Sequence, residues 1–146
     1  MSNDNAREFV SLYHAAVIEA IGKDADTINV KIGIHLANHF LKQIGKMPES
    51  EIEFKEAIET FFKRMFPFAE IAQMTFNQDG TAVLYVKGCM ICHGNSILRS
   101  QGGKGYCPVC HLVKSSLAKG LKKRIELTGT EKPGPVGECF LKYKAE

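Results

Sequence analysis

The sequence predicts an α+β fold: N-terminal helices packed on an antiparallel sheet, with a Cys-rich metal loop and a further helix between two hairpins. Three observations predict it. Apolar residues recur at helical spacing through the first 65 or so positions. Near residue 69 the pattern turns strand-like, with Asn77-Gln78-Asp79-Gly80 as a hairpin turn. The last part holds a Pro-opened helix and two short strands split by a Pro/Gly-rich connection. Helices, hairpin, cysteine loop, helix, hairpin is the order of a single α+β domain spanning 1–146, helical over 1–68 and sheet, metal loop and helix over 69–146.

Each element has its own signal. Residues 4–22 form a helix through Phe9, Leu12, Ala16, Ile18 and Ile21, with Asn3 or Asp4 as cap and Gly22 as stop. Residues 27–44 form a second, with Val30, Ile34, Ala37, Leu41 and Ile44 as its stripe and Gly45 at its end. Ser50 and Glu53 make a capping box for a third helix to about Met65, burying Phe54, Ile58, Phe61, Phe62 and Met65. Ala69–Phe76 and Thr81–Val86 are strands. Cys89 to Tyr106, preceded by Gly88, contains Gly94, Gly102, Gly103 and Gly105 and reads mostly as loop, with a short helix at Ser96–Ser100. Pro108 opens a helix to Lys122, where Lys122, Lys123 and Arg124 complement the dipole. Ile125–Leu127 and Glu138–Tyr143 are the last strands.

The 146 residues have the composition of an ordinary globular protein. No apolar run approaches the roughly 20 residues that cross a bilayer. The polar start, Met1-Ser2-Asn3-Asp4-Asn5, lacks a basic and then apolar signal segment, so a reducing cytoplasmic location is expected. Charge is uneven: residues 1–86 carry a net −4 and residues 87–146 a net +7. A basic half could favour nucleic acid, but no nucleic-acid signature accompanies it, and a solvated helix face explains it better.

Cysteine is the strongest chemical signal. Cys89-Met-Ile-Cys92 and Cys107-Pro-Val-Cys110 are separated by 14 residues. Two residues between cysteines let one turn aim both sulfurs at one ion, and two such turns complete a tetrahedral thiolate site for zinc. An iron–sulfur cluster uses the same ligands. Both pairs also continue into histidine, His93 and His111, matching the Cys-x-x-Cys-His pattern of haem attachment, although that chemistry ordinarily implies export. Cys107-Pro-Val-Cys110 opening a helix also resembles a redox dithiol, without the preceding strand of a thioredoxin-like unit. Cys139 stands apart in the last strand, as a core cysteine or a replacement ligand.

His35 and His39 share one side of the second helix, a chelating spacing that local hydrogen bonding explains better. Gly102-Gly103-Lys104-Gly105 lacks the frame of a phosphate loop. With no nucleophile elbow and no paired carboxylates, the sequence reads as a non-enzyme.

The run from Cys107 through Leu121, then Arg124-Ile-Glu-Leu-Thr-Gly-Thr-Glu and Gly134-Pro-Val-Gly-Glu-Cys139-Phe-Leu-Lys-Tyr, resembles the 4-vinyl-reductase-type, or hydrocarbon-binding, domain family. The match covers residues 69–146; the helices match only by order. Many members carry a further cysteine about eight residues before the last, where this chain has Thr130-Glu131-Lys132. The resemblance implies an α+β fold related to a vesicle-trafficking subunit, and a homodimer. It implies a zinc-stabilised binding or sensory module for a small apolar ligand, with tetrapyrrole-like molecules as one class. Phe54, Phe61, Phe62, Phe66, Phe68 and Met74 are the candidate lining of its pocket, or plain core.

Overall fold

The computed structural model describes residues 3–146, with side chains from Asn5 onward; the cap expected of Asn3 or Asp4 lies outside the described side chains. Helix α1 (Asn3–Ile21) is followed by a 3-10 turn (Gly22–Asp24), α2 (Ala25–Ile44) and α3 (Glu51–Arg64). Then come β1 (Ile71–Phe76), β2 (Thr81–Lys87), α4 (Met90–Ser100), α5 (Pro108–Leu121), β3 (Ile125–Glu131) and β4 (Cys139–Ala145). The α+β class and the antiparallel sheet stand as expected.

The four strands lie in the order β1-β2-β4-β3, every neighbour antiparallel. The two hairpins therefore join through β2 and β4, with Leu84 opposite Leu141 and Val86 opposite Cys139. Alternation along the strands sorts the side chains. Met74, Ala82, Leu84, Val86, Cys139, Leu141 and Tyr143 are buried. They meet Phe40 of α2, Phe54, Ile58, Phe61 and Phe62 of α3, and Val109, Leu112, Val113 and Leu117 of α5 in one core. A smaller cluster, Ala15, Ile18, Ala25 and Leu98, joins α1 to α4.

Ser50 caps α3 as expected, its Oγ accepting from Glu53 N at 3.2 Å. The Glu53 carboxylate reaches one residue further back and accepts from Glu49 N at 2.7 Å, so the box closes on the residue before the cap.

The expected cysteine-rich metal loop is not supported. Most of that segment is α4, begun by Cys89, whose Sγ accepts from Cys92 N at 3.4 Å. A glycine inside a helix weakens it by about 1 kcal/mol, but Gly94 is wanted for its missing side chain. A Cβ there would lie 2.7 Å from Ser11 O and 2.9 Å from His14 Cδ2, so α4 lies against α1 only because residue 94 has none. Strand β3 also runs further than expected, to Glu131, because a register shift between Leu127 and Gly129 carries it past the glycine.

Candidate functional site

Three chain segments end at one place. Cys89 and Cys92 begin α4, Cys107 and Cys110 begin α5, and Cys139 begins β4. Local bonds fix each start. Cys89 N donates to Gly137 O at 3.0 Å and Met90 N to Phe68 O at 2.9 Å, tying α4 to the β3–β4 turn and to the segment before β1. Tyr143 is fully inside the core, and its hydroxyl donates to Cys110 O at 3.0 Å, tying α5 to β4. Burial pushes the Tyr143 phenol well above its ordinary range, so it stays a donor.

The cysteines lie close enough to perturb one another's ionisation. Cys92 accepts from the thiols of Cys139 and Cys89, which holds it well below the usual thiol range and pushes both partners up. Cys107 accepts from Cys110, which lowers Cys107 and raises Cys110. The positive end of α5 supports negative charge on Cys107. The four cysteines singled out from the sequence are thus brought together, and Cys139 joins them. All five are free thiols.

Cys107 is half-buried while the other four are buried, so it is the thiol a reagent meets first. Iodoacetamide alkylation of Cys107 should rise at lower pH than the ordinary thiol pKa of about 8.5, because the thiolate is the nucleophile and Cys107 is lowered. In Cys110→Ala the rate profile should move back up in pH. Peptide mass spectrometry at several pH values checks this; a wild-type profile that still rises through the ordinary thiol range refutes the pairing.

A cavity of about 390 Å³ opens beside the sulfurs. Asp26 and Asn29 of α2, Cys92, Asn95 and Arg99 of α4, Lys104 to Cys107 of the connection, Cys110 and His111 of α5, Leu127 and Thr130 of β3, Lys132, and Cys139 and Leu141 of β4 line it. Asn95 organises one wall: its buried Oδ1 accepts from Tyr106 N at 2.9 Å and lies 2.9 Å from His14 Nε2. Burial, reinforced by Lys114, holds the His111 imidazole below its ordinary range.

The remaining expected residues are scattered. His93 lines a separate groove between α1 and α4, with Arg7, Ser11 and Met90. His35 and His39 are exposed on α2. Phe54, Phe61, Phe62, Phe68 and Met74 are buried core and Phe66 is packed against it; Met74 and Phe62 border two separate surface grooves, so the six share no common pocket for an apolar or tetrapyrrole-like ligand. Sequence reasoning missed Asn29 and Asn95; a polar residue on the buried face of a helix is the signal that marks them.

Zinc, haem and iron–sulfur are corrected here. Among the described residues no group of three or more His, Cys, Asp or Glu is placed to hold a metal ion. His93 and His111 belong to different grooves and converge on no common axis site.

No family model and no curated protein matches the sequence. Among solved structures, the chain is similar to a trafficking protein particle complex subunit 3 from Naegleria fowleri covalently bound to palmitic acid. The TM-score is 0.60 and the identity 15%, over 98% of this chain and 96% of that one. The likeness is one of fold. It overturns the 4-vinyl-reductase assignment, and with it the metal-stabilised sensory domain and the redox or haem alternative. The C-terminal cysteine, proline and glycine pattern that suggested the family is used for helix starts and close packing instead. No helix among the described residues is long and apolar enough to cross a membrane.

Proposed function

We propose that the protein is a non-catalytic assembly subunit, the whole chain serving as one module in a reducing cytoplasm. It pairs through the outer face of α1, first with a second copy of itself. The observation that carries this is an apolar stripe left exposed by the described residues. Phe9 is 65% exposed, Leu12 53% and Tyr13 63%. They are spaced to share one side of α1, opposite the Ser11, Ala15 and Ile18 side that faces α4. The Phe9 and Tyr13 rings stack at 5.9 Å between centroids. Val30 and Ile34 are exposed on α2. A rigid aromatic pair on a helix is the kind of anchor that protein interfaces use. The fold shared with a subunit of a trafficking particle supports the same reading.

The test is the double variant Phe9→Lys/Tyr13→Lys. Aromatic anchors cost about 2 kcal/mol or more each when lost from the centre of an interface. Light scattering across a dilution series should give a dimer for the wild type and a monomer for the variant, with unchanged circular dichroism. A wild type that stays monomeric at the highest concentrations rejects self-pairing through this face.

A further inference from the structure

We propose that the outer edge of β1 is a second self-pairing surface, held closed by a clamp from α3, and that its occupant is β1 of another copy of this chain. At the hairpin, Asn77 N donates to Thr81 O at 2.8 Å. Bonds to β2 then fall on every second residue, Thr75, Gln73 and Ile71, so Ala72, Met74 and Phe76 turn their N–H and C=O outward. Met74, in the middle, has both groups taken by side chains of α3. Its N–H donates to Glu59 Oε2 at 3.0 Å, and its C=O accepts from Lys55 Nζ at 2.7 Å. Lys55 and Glu59 also bridge to each other.

The two edges of the sheet are protected in different ways. β3 is blunted by its own residues: Glu126 and Glu131 are exposed charges, and the register shift between Leu127 and Gly129 breaks its line. β1, Ile71-Ala-Gln-Met-Thr-Phe76, has no charge, no proline and no glycine, the composition of a segment that pairs with copies of itself. Its protection comes from α3. On either side of the clamp the seam between α3 and β1 is open. One groove of about 420 Å³ runs from Glu51, Ile52 and Lys55 to Thr75–Gln78. Another of about 390 Å³ runs from Glu59 and Lys63 to Ala69–Gln73.

Charge selects the occupant. α3 runs antiparallel to β1, with Glu51 beside the end of the strand and Lys63 beside its start. Glu51, Lys55, Glu59 and Lys63 are four residues apart and share the side of α3 along this edge. Met74 lies between Lys55 and Glu59. A second β1 added antiparallel about Met74 makes one continuous sheet, with the two α3 helices on the same face and running in opposite directions. Lys55 then meets Glu59 of the second copy, and Glu51 meets its Lys63, so each charge of the strip finds the opposite sign. The strands themselves bring no charge to repel. The two charge-assisted hydrogen bonds of the clamp must open first, and this keeps the surface latent.

The experiment is sedimentation velocity over a concentration series. It is done in the Phe9→Lys/Tyr13→Lys background, so the success or failure of pairing through α1 does not enter. Lys55→Ala/Glu59→Ala removes the clamp and gives α3 two of the best helix formers. This variant should self-associate at least about tenfold more tightly than the background protein, with unchanged circular dichroism. Adding Gln73→Lys/Thr75→Lys, both at exposed positions, should abolish that association. Residue 73 of one strand faces residue 75 of the other, and like charges directly opposite repel. Should the alanine pair fold poorly, Lys55→Met keeps the stem, frees the Met74 carbonyl and should move association in the same direction. A clamp variant that stays monomeric at the highest concentrations overturns the proposal. Association that the two added lysines leave unchanged overturns it equally, since the contact then lies away from β1.

Discussion

Gly33→Ala should destabilise the protein and force α2 away from α5. On an exposed helix the same change stabilises by about 1 kcal/mol through propensity alone. Here the added Cβ would lie 2.3 Å from His111 Cβ, 2.9 Å from Pro108 O and 3.0 Å from His111 C. These atoms belong to the first turn of α5 or adjoin its backbone, so no side-chain rotation relieves the overlap. That turn is anchored, since Tyr143 Oη donates to Cys110 O at 3.0 Å. Overpacking a close-packed contact costs typically about 1–3 kcal/mol, and the overlap here is severe enough to exceed the propensity gain. The melting temperature should fall by several degrees. Any shift of α5 also carries Cys107, Cys110 and His111, so alkylation of Cys107 should change in the same variant. A melting temperature that rises in Gly33→Ala would falsify the close crossing of α2 and α5, and with it the cavity wall built there.

Much of the fold was legible because its causes are local. The Ser50 cap of α3, the Asn77–Gly80 turn and the proline that opens α5 each act within a few residues, and α3, the first hairpin and α5 start within a few residues of where their signals placed them; the expected stripe on α1 and the end of α3 did not bury as read, since Phe9, Leu12 and Met65 are exposed. What failed was the meaning of glycine and cysteine. Gly94 was read as a breaker, but its value lies in the 2.7 Å that would separate a Cβ from Ser11 O, 83 positions earlier in the chain. Cys-x-x-Cys was read as a metal turn, but Cys89 uses its sulfur to begin a helix. Cys139 reaches the other thiols only because β4 pairs with β2, a long-range register that no local pattern announces. Asn29 and Asn95 share a residue type and a buried setting, and only the three-dimensional partners tell the satisfied one from the unsatisfied one.

Phe54→Ala should be among the most damaging single changes in the core. The Phe54 ring has no exposed surface. It meets the Phe40 ring edge-on at 6.0 Å and the Phe76 ring at 6.2 Å between centroids, joining α3 to α2 and to β1. A Cβ at Gly120 of α5 would touch it at 3.5 Å, so the ring also spans to the fourth wall of the core. Truncating a buried phenylalanine costs about 3–5 kcal/mol, because the cavity left behind only partly collapses. A domain of this size holds about 5–15 kcal/mol in all, so the variant should sit near the edge of unfolding. Urea denaturation should show a much lower midpoint with an unchanged slope. Phe54→Leu keeps most of the volume and should recover most of the loss. The same measurement separates the two readings of the aromatic stripe. If Phe54 lined an open pocket, its truncation would enlarge space already empty and cost little. A midpoint within error of the wild type would therefore restore the pocket and remove Phe54 from the core.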